Sequence, residues 1–406
     1  MQIIHDFNRQ LDGGSPLGEV AADPAGNVYG AMNGGANGVG FVYQLIPKSP
    51  GWLFNPLYSF TGGSDGAYPS MPIVGPEGVL YGTAGGGDYG LVYSLRPSPS
   101  ACLTSSCSWT ENVLYQFANG ASAGGIAAFD AAGNLYGFSG SGGTYGRGAV
   151  FQLTPSAGGW TESILYSFTG GSDGGSPDSL LVGQDGNLYG AAGGGANGAG
   201  VVFQLLRPPS AKGSWTENVI HSFTGQSPDG CGPYSLVQDG VGNLLGISGY
   251  SPGCTHAGMQ ILRRPNPETA GSYWCGINDI VVFMLSPSAR SWILTVIMDY
   301  PIYVYEGQSW WNSGFASDKA GNVYWATGLY NQGCQDCFSP DDWEEGGVYM
   351  RSPSGDWYTL WFTPNEPPGE LFVPRGTLAT DAKGNVYGTT STCGKYGQGT
   401  VWRVTQ

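Results

Sequence analysis

Histidine is almost missing from this chain, with three in 406 residues. His5 and His221 fall at a recurrent position that elsewhere holds Tyr58, Tyr115 and Tyr166, which leaves only His256 outside the pattern. A multi-histidine zinc or copper site cannot be assembled from that set. No metal and no cofactor is expected. Charge is scarce as well: 11% of residues are charged, 15 basic against 30 acidic, for a formal net charge of -15. Such a surface repels phosphate backbones and anionic lipid, so nucleic acid is not an expected partner. No run of 18 apolar residues occurs, which argues against membrane insertion, and no amphipathic helix stands out. The opening Met1-Gln2-Ile3-Ile4-His5-Asp6-Phe7 lacks the basic and apolar regions of a signal peptide. The expectation is that an exported protein has already lost its signal.

What the chain has in quantity is turn formers. The 71 Gly and 27 Pro suit many short strands joined by tight loops. Eight Cys, an even number, favour disulfides over zinc and with them an oxidising, extracellular or cell-surface location. Cys102 and Cys107 flank one loop and form a natural local pair; Cys231, Cys254, Cys275, Cys334, Cys337 and Cys393 allow 15 connectivities.

A repeat organises the whole length. Gly26-Asn27-Val28-Tyr29-Gly30 returns at 133–137, 186–190 and 384–388, with altered copies at 78–82, 242–246 and 321–325. The aromatic position recurs at 29, 81, 136, 189, 245, 324 and 387, spacings of 52 to 79 residues that match propeller blades. An apolar stretch ending in Asp precedes most copies, and the Asp-x-x-Gly-Asn link has hairpin-turn chemistry. These runs are read as strands A and B. Strand C follows a Gly-rich loop, as in Gly200-Val201-Val202-Phe203-Gln204-Leu205, and strand D opens on Trp52, Trp109, Trp160, Trp215, Trp292 or Trp357. In the fifth unit strand C has two candidates, 258–263 and 280–285, of which the second reproduces the other copies better.

The predicted fold is therefore all-β, a seven-bladed propeller of four-stranded antiparallel blades. Its approximate blades are 8–60, 61–117, 118–168, 169–223, 224–298, 299–362, and 363–406 joined by 1–7. The N-terminal strand completes the last blade and closes the ring, leaving no open terminal blade.

On these motifs, most clearly Gly384 to Thr390 with Gly399-Thr400-Val401-Trp402, the sequence resembles the GloVer tandem-repeat family of exported, often surface-anchored bacterial proteins. A looser likeness to kelch propellers lies in the order of strand B, Gly-Gly, aromatic strand C and Trp. The GloVer resemblance implies a repeat scaffold at the cell surface and brings no catalytic residues. The expectation is that the chain is the domain without the attachment segment of the family.

Candidate chemistry concentrates where the repeat is interrupted. In a propeller the D-to-A and B-to-C loops share one face, and blades five and six carry insertions there. Trp274, Trp310, Trp311, Trp325 and Trp343 all fall in these blades, joined by Tyr250, Tyr303, Tyr305 and Tyr330. Aromatic faces stack on sugars, so Trp310, Trp311, Trp325, Tyr250, Tyr330 and Trp343 are ligand-binding candidates; the competing role is to anchor the long loops. Glu306, Asp341 and Asp342 are the acids that a glycosidic-bond hydrolysis would need, or they form a solvated acidic loop. The recurrent Asp23, Asp130, Asp239, Asp318 and Asp381 are read as turn caps rather than catalysts. The leading expectation is a non-catalytic extracellular propeller that binds glycans or another surface component through blades five to seven. A carboxylate-dependent glycoside hydrolase or lyase, and a self-associating structural protein, are the alternatives.

Overall fold

The computed structural model describes residues 1–405 except 10–11, 13–15, 87–88, 98–108, 119, 131, 211–212, 227–228, 250–261, 266–271, 290, 306–313, 328–346, 363–373 and 391–393. Residues 262–265, 272–280, 298–305, 327, 362 and 375 are described as backbone only.

The described strands form seven antiparallel sheets. The first strand is β1 (Gln2–Asp6). Blade one holds β2 (Pro16–Ala22), β3 (Val28–Met32), β4 (Phe41–Pro47) and β5 (Trp52–Ser59). Blade two holds β6 (Ile73–Val74), β7 (Leu80–Ala84), β8 (Leu91–Arg96) and β9 (Thr110–Gln116). Blade three holds β10 (Ala123–Phe129), β11 (Leu135–Ser139), β12 (Ala149–Ser156) and β13 (Gly159–Ser167). Blade four holds β14 (Gly175–Val182), β15 (Leu188–Gly193), β16 (Val201–Leu206) and β17 (Thr216–Ser222). Blade five has five strands, β18 (Cys231–Gln238), β19 (Leu244–Gly249), β20 (Leu262–Pro265), β21 (Ser272–Pro287) and β22 (Trp292–Tyr305). Blade six holds β23 (Ala316–Ser317), β24 (Val323–Thr327), β25 (Gly347–Arg351) and β26 (Trp357–Phe362). In blade seven, β27 (Pro374–Thr380), β28 (Val386–Thr390) and β29 (Thr400–Val404) take β1 as their fourth strand.

Ring closure is visible in register. β1 runs antiparallel to β29, pairing Gln2 with Arg403 and Ile3 with Trp402. The Phe7 amide donates to the Gly399 carbonyl at 3.0 Å, the same bond that Phe60, Phe117, Phe168 and Phe223 make to Gly40, Gly90, Gly148 and Gly200. The innermost strands β2, β6, β10, β14, β18, β23 and β27 each touch their neighbours on both sides, and β27 returns to β2.

Each position of the repeat has a physical task. Its first glycine turns left-handed, as at Gly26 (φ 86) and Gly384 (φ 79), where a side chain is disfavoured. Its last glycine lies under the strand C aromatic of its own blade. A Cβ on Gly30, Gly137, Gly190 or Gly388 would enter the ring of its register partner, Tyr43, Phe151, Phe203 or Trp402.

Two aromatic contacts then join most blades. The Phe that follows strand D packs edge-on against the strand C aromatic of the next blade, as in Phe7–Tyr43 at 5.4 Å and Phe168–Phe203 at 5.1 Å between centroids. The Trp opening strand D packs edge-on against the strand B Tyr of the blade before, as in Tyr387–Trp52 at 6.2 Å and Tyr136–Trp215 at 6.2 Å. Such pairs add about 0.5–1.5 kcal/mol each beyond the area they bury. Trp52, Trp109, Trp160, Trp215 and Trp292 are thus seam contacts, which is why a Trp opens strand D in each of the first five blades.

Candidate functional site

The acids that recur with the repeat are fully engaged in it. Asp381 Oδ1 accepts the amides of Lys383 (2.8 Å) and Asn385 (3.0 Å), while Oδ2 accepts Asn385 Nδ2 (2.7 Å) and the Tyr387 hydroxyl (2.9 Å). Asp23, Asp130 and Asp318 repeat this pattern with their own Asn and Tyr. Burial pushes the Asp381 carboxyl up, and the hydrogen bonds from Asn385, Tyr387 and Lys383 outweigh it, so its pKa lies below the ordinary value. Blade four differs in spacing. Its acid, Asp185, sits two residues before Asn187 instead of four, yet it bonds Asn187 Nδ2 (2.6 Å) and the Tyr189 hydroxyl (2.8 Å) in the same way.

A second set of acids shapes the D-to-A turns. Asp65 accepts Tyr58 Oη (3.0 Å), Thr61 N (2.8 Å) and Thr61 Oγ1 (2.6 Å), and Asp173 does the same with Tyr166 and Thr169. Where strand D carries His in place of Tyr, the contact survives: His5 Nε2 meets Asp12 at 2.7 Å and His221 Nε2 meets Asp229 at 3.2 Å. The two histidines are therefore strand residues held by the acids of the turns that follow, at the strand D position of Tyr58 and Tyr166. Burial lowers the His5 pKa, against the opposing pull of Asp12.

Within the ring of inner strands, Glu19 of β2 and Asp178 of β14 sit close enough to repel one another. Burial first, then Asp178, raises the pKa of Glu19, and burial raises that of Asp178. Register breaks in both strands, between Pro16 and Val20 and between Gly175 and Ser179, fall at these residues. A bulge re-aims side chains, and no alternation argument predicts it.

The asymmetric feature of the molecule is in blade five. β21 and β22 contain 16 and 14 residues, against five to nine in the C and D strands of the other blades. Residues 280–285 act as strand C, pairing Leu244 with Leu285 and Ser248 with Val281. The earlier part of β21 continues beyond the blade, pairing Cys275 with Tyr305 and Ile277 with Tyr303, and β20 adds to it through Leu262 and Cys275. The start of strand C and the end of strand D both lie on the face of the D-to-A and B-to-C loops, so this ribbon stands on that face. Eight extended residues reach roughly 26 Å at about 3.3 Å each.

Trp325 is a correction. Far from being an exposed stacking surface, it is 2% exposed and occupies the position of the last repeat glycine, opposite Tyr349. With no glycine to lie over, the Tyr349 ring stacks flat on the indole at 5.4 Å, and Trp357 meets it edge-on at 4.8 Å. Trp310, Trp311, Tyr250, Tyr330, Trp343, Glu306, Asp341 and Asp342 lie outside the described residues, as do Cys102, Cys107, Cys254, Cys334, Cys337 and Cys393; Cys275 is described as backbone only.

Two clefts open on the opposite face, where the A-to-B and C-to-D loops meet. One, of about 590 Å³, lies among the turns of blades four to six near Gln184, Gln238 and Lys319. The other, of about 720 Å³, lies between Tyr136, Gln152, Arg207 and Trp215. Neither contains two carboxylates.

Fold and repeat chemistry together define a closed, seven-bladed repeat propeller. Over residues 88–263 the chain matches the Gloeobacter/Verrucomicrobia repeat. No curated protein matches the chain. Among solved structures it is similar to polysaccharide lyase Uly1, with 9% identity and a TM-score of 0.49 over 100% of this chain and 92% of that one. It is also similar to the PQQ-bound aldose sugar dehydrogenase of Streptomyces coelicolor, with 11% identity and a TM-score of 0.46 over 100% and 96% of the two chains. The WD40 domain of SCAP from fission yeast shares 9% identity at a TM-score of 0.37 over 99% and 97%. Likenesses this distant carry no argument about chemistry.

Proposed function

We propose that the protein is an extracellular, non-catalytic binding propeller that recognises a glycan or another surface component through the loops of blades five to seven. The observation that carries this reading is the ribbon of β20, β21 and β22, which departs from the repeat and stands on the face of the D-to-A and B-to-C loops. The repeat acids support it from the other side, because their oxygens are held by turn amides and hydroxyls. Placement outside the cell is supported by the even count of eight Cys, among them the buried Cys231. Strong net negative charge favours neutral or cationic partners over nucleic acid or anionic membrane.

The test is a polysaccharide panel scored for both binding and reducing-end release. The reading predicts retention of at least one polysaccharide without release, and loss of that binding on substitution of Tyr303 and Tyr305 by Ala. Release abolished by Glu306→Gln or Asp341→Asn would instead establish a carboxylate-dependent hydrolase or lyase. Filaments or lattices of the purified protein would point to self-assembly.

A further inference from the structure

Three strand D segments share the sequence Trp-Thr-Glu, which places Glu111, Glu162 and Glu217 at successive blade seams. Each follows a blade whose own strand D carries Tyr: Tyr58, Tyr115 and Tyr166. The two seams with His instead face apolar residues at the glutamate position, Phe54 after His5 and Leu294 after His221. His5 stacks on Phe54 at 4.7 Å.

The three glutamate seams are not equivalent. Between blades two and three the D-to-A turn has no Asp, and Tyr115 Oη donates across the seam to Glu162 Oε2 at 2.7 Å. Between blades one and two, and between blades three and four, Tyr58 and Tyr166 donate instead to Asp65 and Asp173 of the D-to-A turns that follow their own strands. Glu111 and Glu217 are each left with a buried Oε1 that has no hydrogen-bond partner. The titratable groups around Glu111 are Asp65, Tyr58 and Tyr93; those around Glu217 are Asp173 and Tyr166. Among the described residues, no Lys or Arg acts on either glutamate.

An ionised carboxylate there is partly desolvated and stands beside a like charge. A carboxylic acid has neither problem, and its proton supplies the donor that the site lacks. We propose that the seams between blades one and two and between blades three and four are pH-sensitive latches, tightened when Glu111 and Glu217 take up a proton and loosened when they ionise beside Asp65 and Asp173. Burial, then the neighbouring Asp, raises both glutamates from 4.5 to about 7. Because the folded value lies above the unfolded one, the stabilisation is fully present below about pH 4.5. It is lost as pH rises to about 7. Both glutamates are partly exposed, so solvent screening reduces the effect.

The test is the apparent Tm between pH 5 and pH 8 for the wild type, Glu111→Gln, Glu217→Gln and the double variant. Glutamine keeps the shape of the neutral acid and cannot ionise. The wild type should lose about 3 °C across this range. Each single variant should remove about half of that slope, the double variant should be nearly flat, and at pH 8 it should melt above the wild type. A slope unchanged in the double variant, or one abolished instead by Glu19→Gln with Asp178→Asn, overturns the proposal. If the double variant does not fold, infrared spectra at pH 6 decide. A carboxylic-acid band that weakens in each single variant supports the latches, and one that is unaltered in both refutes them.

Discussion

Phe7→Ala is the substitution that distinguishes a closed ring from a row of blades with a loose end. Phe7 is seven residues from the N-terminus, where chains commonly fray. In this fold it is fully buried, 5.4 Å from Tyr43 and 6.2 Å from Phe54, and its amide is bonded to Gly399. Its counterpart inside the chain is Phe168, equally buried and 5.1 Å from Phe203. Removing a buried Phe ring costs about 3–5 kcal/mol when the site does not collapse. For a chain of 406 residues that becomes a fall in apparent Tm of roughly 4–6 °C at about 2.1 cal/mol/K per residue of unfolding entropy. Phe7→Ala and Phe168→Ala should therefore destabilise equally in thermal melts followed by near-ultraviolet circular dichroism. A fall for Phe168→Ala with Phe7→Ala within about 1 °C of the wild type would mean that β1 does not close the ring.

Other outcomes follow from the repeat. Gly388→Ala should destabilise by about 1–3 kcal/mol or more, measured by denaturant unfolding, because its Cβ would enter the Trp402 ring. In acid the sign reverses relative to the seam glutamates. Asp65, Asp130, Asp173 and Asp381 are raised by burial and lowered further by their hydrogen bonds, so each ends below its ordinary value of 3.8. Their contribution is present above about pH 4 and disappears as pH falls through the folded values, so apparent Tm should decline below that point and Asp381→Asn should blunt the decline.

Much of this architecture was readable from spacing. The seven copies of the repeat segment, four reading Gly-Asn-x-Tyr-Gly and three altered, locate strand B in every blade, and the preference for 280–285 as strand C of blade five agrees with the pairing of β19 and β21. The match between Ile3-Ile4-His5-Asp6-Phe7 and the ends of other D strands led to closure through β1 and β29. The D-strand Trp residues showed their period but not their partners, since Tyr136 and Trp215 touch across a blade boundary 79 residues apart in sequence. Trp325 was misread because counting aromatics ignores register; its place after Tyr324 is that of the buried glycine, and that offset was the available signal. The ribbon escaped notice because continuing an antiparallel pair needs no turn residues. β22 accordingly runs on to Tyr305, past the boundary drawn at 298. The pairing of Tyr with Glu and of His with apolar residues across seams becomes visible only when each strand D is set beside the next.

The central claim is that β1 is a full member of the seventh blade. Amide hydrogen exchange of Ile3–Asp6, measured beside that of strand β13 in blade three, tests it most directly. Closure predicts comparable protection in the two outer strands, with both lost together on global unfolding. Exchange of Ile3–Asp6 at the rate of an unstructured terminus, while β13 stays protected, would contradict it.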